Sequence, residues 1–66
     1  MSALVDSVLL NRLMWAVRSF VMEREVALRA RSRGDFAFAR EYAGMARESW
    51  AAVKRYRLQI EKGVAA

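Results

Sequence analysis

The 66-residue chain reads as an all-α, antiparallel two-helix hairpin that is expected to dimerise into a four-helix bundle. Three observations predict this. Two long proline-free segments carry helical apolar periodicity, and a short polar corner, Ser32-Arg33-Gly34-Asp35, separates them. In addition, 56% of the residues are apolar, in a chain that buries only about 60% of its unfolded surface by itself. Some of that apolar surface calls for cover from outside one copy.

The first helix is predicted over residues 4–31 or thereabouts. Leu9, Leu10, Leu13, Ala16, Val17, Phe20 and Val21 make one broad stripe, and Val8, Trp15, Met22 and Val26 lie on another side. Only Ser7, Asn11, Arg18, Glu25 and Arg29 form a polar strip. A helix that is apolar on two sides and has one neighbour must bury its remaining face elsewhere. A second copy related by two-fold symmetry is the economical answer. Residues 3–22 are apolar enough to raise the question of a membrane span. Asp6, Asn11, Arg12 and Arg18 interrupt them, and each central charge costs roughly 2.5–3.5 kcal/mol on insertion scales. No membrane insertion is expected. No basic segment precedes the apolar run, so no signal peptide is expected either, and the location implied is cytoplasmic.

The corner follows from its residue types. Arg29 and Arg31 complement the negative C-terminal end of the first helix, Gly34 supplies the turn, and Asp35 is a good N-cap for the next helix. The turn is therefore predicted at 32–34 and the second helix over about 35–62, with Gly63 as a left-handed stop. Ala39, Tyr42, Ala46, Ser49, Val53, Tyr56 and Ile60 follow an unbroken 3-4 spacing, the seam of a coiled-coil-like pairing. A reversal near Arg33 would set Leu10 against Tyr56, Leu13 against Val53, Val17 against Ser49, Phe20 against Ala46 and Ala27 against Ala39. It would also put Glu23 or Arg24 opposite Tyr42. There a charge needs a partner, either the Tyr42 hydroxyl or solvent reached by a snorkelling Arg24. The expected core and dimer residues are Leu9, Leu13, Trp15, Val17, Phe20, Ala46, Trp50, Val53 and Tyr56.

Composition narrows the chemistry. The chain lacks both Cys and His, which removes disulfides, thiolate sites and the commonest general base and metal ligand. Its acidic residues are scattered, neither lysine has a serine at a convincing spacing, and the isolated glycines form no phosphate-binding or dinucleotide fingerprint. No enzyme, cofactor or metal site is expected. Twelve basic against seven acidic residues, a net charge of +5, favours acidic proteins or nucleic acid as partners. Arg29, Arg31, Arg33 and Arg40 crowd the turn, and Lys54, Arg55, Arg57 and Lys62 crowd the other end. Phosphate binding by these clusters is the second reading of the chain, although Glu41, Glu48 and Glu61 dilute the second helix. The first reading is protein binding. Phe36 and Tyr42, with Arg24, Arg31, Arg33, Asp35 and Arg40 nearby, are the expected partner contacts, since aromatic and arginine side chains dominate binding hot spots.

Three resemblances accompany this reading. The run Gly34-Asp35-Phe36-x-x-Ala39, with Ala46 seven further on, resembles the inter-helix turn and second helix of a tetratricopeptide repeat. In length and double-hairpin format the chain is similar to dimers of the Rop type, which grip RNA loops. A short, Cys-free, Ala/Arg-rich hairpin also resembles, over its whole length, the small inhibitors made early in infection by phages of Pseudomonas. Among these, the quorum-sensing anti-activator proteins are two-helix dimers. That last resemblance implies host regulatory proteins as partners: the DNA-binding domain of a LuxR-type regulator and a type IV pilus assembly ATPase.

Overall fold

The computed structural model describes residues 3–65. Helix α1 runs Ala3–Ser32 and helix α2 runs Phe36–Ala65, packed antiparallel into a rod whose Cα trace spans 49 × 15 × 11 Å. The length is that of two helices of 30 residues at about 1.5 Å per residue. Among the described residues no helix is long and apolar enough to cross a membrane.

The reversal is tight because one residue serves both helices. Gly34 adopts φ +83°, the left-handed region where a Cβ is penalised. Its N–H donates to the Arg31 carbonyl at 3.0 Å, and the Asp35 N–H reaches back to the Ala30 carbonyl at 2.9 Å. Together these two bonds make a Schellman closure of α1. Asp35 then caps α2: its Oδ1 accepts from the Phe38 N–H at 3.3 Å, and its carbonyl accepts from the Ala39 N–H at 3.0 Å. This is the capping role predicted for Asp35. Gly63 differs from expectation. Helix α2 continues through it to Ala65, and Gly34 alone among the described residues has positive φ. Glycine permits a left-handed stop without imposing one.

The seam predicted for α2 is the one that packs. Ala39, Ala46 and Val53 are buried, and Tyr42, Ser49, Tyr56 and Ile60 are half-buried. The α1 side departs from the predicted register by about one helical turn. Ser49 Oγ donates to Glu23 Oε1 at 2.5 Å, and the rings of Phe20 and Trp50 lie 5.1 Å apart. Ser49 thus meets Glu23 where Val17 was expected, and Phe20 meets Trp50 where it was paired with Ala46. The reason lies in the corner: the chain turns around Gly34 and Asp35, and each residue of displacement in the pivot moves every facing pair by two.

This register selects a narrower stripe on α1. Leu9, Leu13, Ala16, Phe20, Glu23, Ala27 and Ala30 alternate at 4-3 spacing and are all buried or half-buried. Leu10, at 50% exposed, and Val17 and Val21 from the same predicted stripe turn outward. Of the residues expected in the core, Ala46 and Val53 are buried, and Leu9, Leu13, Phe20 and Tyr56 are half-buried. Val17, Trp15 and Trp50 remain exposed. The buried apolar set is small, Ala27, Ala30, Ala39, Ala46 and Val53. Alanine at facing seam positions lets the two backbones approach closely and leaves the large side chains to the flanks.

Glycine substitutions test this account. Gly34→Ala should destabilise the hairpin by about 1 kcal/mol or more, because alanine resists the left-handed backbone. At Gly44, a half-buried helical position, an added Cβ would meet only the Arg47 guanidinium at 3.8 Å. Gly44→Ala should therefore stabilise by about 0.5–1 kcal/mol. Urea unfolding of both variants measures the two opposite signs.

Candidate partner-binding groove

On one side of the rod the spacing of α1 from α2 leaves a long open groove. Its larger part has a volume of about 600 Å³ and lies between Phe20, Arg24, Ala27 and Leu28 of α1 and Ala43, Ala46, Arg47, Trp50 and Lys54 of α2. A second part, of about 350 Å³, shares Ala27, Leu28 and Ala43 with the first and adds Arg31, Phe36, Ala39 and Arg40. The two form one channel from Lys54 to Phe36, about 27 Å along the helix axis.

The channel has a simple construction. Seam alanines make its floor, because the seam is where small residues allow close approach. The tilted Phe20–Trp50 pair stands near one end, and Phe36, 60% exposed, stands at the other. Two files of heptad-spaced residues on α2 run along it: Phe36, Ala43 and Trp50, and beside them Arg40, Arg47 and Lys54. On α1, Arg24 and Arg31 repeat the same step. Among the described residues, every ionisable side chain lining the channel is a cation. None of these five is in an ion pair; the two pairs in the described residues are Arg29–Glu25 and Arg57–Glu61, both exposed on the surface.

The structure thus gathers four of the expected partner contacts, Arg24, Arg31, Phe36 and Arg40, into one channel. Arg33 and Asp35 stay at the exposed corner, where the Asp35 side chain is engaged in capping. Tyr42 is half-buried in the seam, with its ring 4.8 Å from that of Phe38. Sequence reasoning did not assign Leu28, Ala43 and Arg47 to a site, it grouped Lys54 with Arg55, Arg57 and Lys62 in a phosphate-binding cluster, and it placed Phe20 and Trp50 in a core. The seven-residue recurrence of Phe36-Ala43-Trp50 and Arg40-Arg47-Lys54 was the available signal.

The opposite side of the rod has a different chemistry. Trp15, 61% exposed, lies in a shallow cleft with Arg12, Ser19, Ala52 and Tyr56, and the Arg18 guanidinium sits 5.8 Å from its ring centre. Phe38 and Met45 share the heptad file of Ala52, flanked by Glu41, Glu48 and Arg55 in a file of their own. Both signs of charge therefore border this apolar strip. Trp15 and Trp50 lie on different faces, so a single interface does not take in both.

Glu23 belongs to neither face. It is 7% exposed and accepts from Ser49 instead of the expected Tyr42 hydroxyl, while its neighbour Arg24 lines the groove. The charge in the seam is therefore met by a bond within the hairpin. Against protein-family models, curated proteins and solved structures alike, the chain has no match.

The buried bond makes a sharp prediction. Ser49→Ala should cost about 1–3 kcal/mol by leaving the Glu23 carboxylate without its donor. Replacing both partners, as Glu23→Leu with Ser49→Ala, should recover most of that loss or exceed it. A double-mutant cycle in urea measures the coupling.

Proposed function

We propose that the chain is a non-catalytic, protein-binding inhibitor or adaptor that works as a homodimer in the cytoplasm. The observation that supports this is surplus surface. The folded chain exposes 5186 Å², whereas a compact monomer of 7.6 kDa exposes about 4,300 Å². Much of what is exposed is large and apolar, including Trp15, Met22, Leu28, Phe36 and Trp50.

The two faces divide the work by charge. A second copy meeting the groove would bring like charges together along its cationic files, an arrangement that opposes association. The Trp15 face carries both signs and suits a self-complementary contact. The groove is then left for a different protein. The resemblance to phage anti-activators makes the DNA-binding domain of a LuxR-type regulator the first protein to assay, and a type IV pilus assembly ATPase the second. The Arg40-Arg47-Lys54 file also favours one competing reading, a Rop-like nucleic-acid binder.

Sedimentation equilibrium should show a dimer at micromolar concentration that Trp15→Ser dissociates and Trp50→Ser does not. A stable folded monomer of the unsubstituted chain would refute the dimer. Pull-down from nuclease-treated host lysate should retain a discrete protein; recovery of nucleic acid alone, lost steeply as salt rises, would favour the Rop-like reading.

A further inference from the structure

We infer that the groove between α1 and α2 receives an acidic amphipathic helix presented by the partner protein. This rests on the protein-binding reading above and names the partner's chemistry. Two independent features support it, one for the shape of the occupant and one for its charge.

The shape comes from α1. Beside its buried seam, α1 carries a second 4-3 series, Leu10, Met14, Val17, Val21, Arg24 and Leu28, whose apolar members are all exposed. A 3.5-residue apolar repeat forms knobs and holes into which another helix packs. Helix α1 thus offers two helical seams and fills one of them within the chain. Across the channel, Phe36, Ala43 and Trp50 continue the same heptad step on α2. Of the α1 series, Arg24 and Leu28 line the channel itself, so the occupant lies there against the end of the series nearest the corner, with its apolar side on the alanine floor and large side chains against Phe36 and Trp50. A channel of about 27 Å accommodates some five turns of helix.

The charge comes from the rim. Arg24, Arg31, Arg40, Arg47 and Lys54 line the channel, are all exposed and have no anionic partner within it among the described residues. The heptad spacing of Arg40, Arg47 and Lys54 is that of the flanking positions in coiled coils, where opposite charge on the facing helix sets partner choice. Glutamate or aspartate at the matching flanks of an incoming helix meets each cation in turn. A second copy of this chain brings a net charge of +5 and is disfavoured by the same rim. Nucleic acid satisfies the cations but leaves the apolar floor and Leu28, Phe36 and Trp50 without a partner.

The test uses the full-length chain and fluorescein-labelled synthetic peptides of about 18 residues, read by fluorescence anisotropy. The first peptide carries leucine at a and d and glutamate at the flanks. The second replaces glutamate by lysine, the third scrambles the first, and a single-stranded RNA serves as competitor. The first peptide should bind. Binding should weaken about tenfold or more in Arg47→Glu/Lys54→Glu, which should also switch preference to the lysine peptide. Trp50→Ala should weaken the first peptide while circular dichroism shows the hairpin intact. Equal binding of the scrambled peptide, displacement by RNA at lower concentration, or no binding of the first peptide each overturns the inference. Loss of the dimer in Trp50→Glu does so too, by giving the groove to a second copy. These outcomes leave the homodimer and its nuclease-resistant protein partner to stand or fall on their own measurements.

Discussion

The shared corner at Gly34 and Asp35 is the constraint on which the remaining structure depends. A single residue closes α1 through its N–H and starts α2 through its carboxylate, so neither helix can slide along the other without breaking a cap. The phase between the helices is thereby set at the turn and carried outward. Ala27, Ala30, Ala39 and Ala46 follow as the buried positions nearest the corner. Close approach of the backbones there displaces Leu28, Phe36 and Trp50 to the flanks. The groove, its alanine floor and its aromatic ends are consequences of that phase.

Farther from the corner, a second device holds the same alignment. The Glu23–Ser49 bond lies in the middle of the seam, where a one-heptad slip would set Glu23 against the bulky ring of Tyr42 or Tyr56. Serine is the seam residue on α2 that combines a hydroxyl with a small volume, so it accommodates the carboxylate where tyrosine would not. A buried polar pair adds little to net stability compared with apolar residues of similar size, and its main effect here is on alignment. Such a role suits a molecule with few large buried side chains, in which apolar packing alone distinguishes poorly between registers.

The corner and the α2 seam were legible in the sequence because their residues are chemically unambiguous. Asp35 follows a glycine at the head of a periodic segment, and small or aromatic residues alternate with Arg47, Glu48, Lys54 and Arg55 along α2. The α1 seam was not legible in the same way. Leucine, valine and phenylalanine surround most of that helix, so its pattern allows several faces to point inward, and only the phase imposed by the corner selects one. The groove was half legible. Phe36 and Arg40 stood out as residues that folding did not require. Trp50 and Lys54 belong to the same site only once Phe20 and Leu28 lie beside them, and that depended on a register displaced by a full turn.

The hairpin is a single layer of two helices. Two surfaces of different chemistry therefore lie back to back with no intervening layer to insulate them. Ala27 and Ala46 line the groove, and Ala16 and Ser49, from the same two seam files, line the Trp15 cleft. A mutation that widens the seam to suit an occupant on one side reshapes the other side as well. Mutational change at the seam is thus shared between the two surfaces, and independent adaptation is open mainly to the flanking files, where Arg40, Arg47 and Lys54 can vary without altering the distance between the helices.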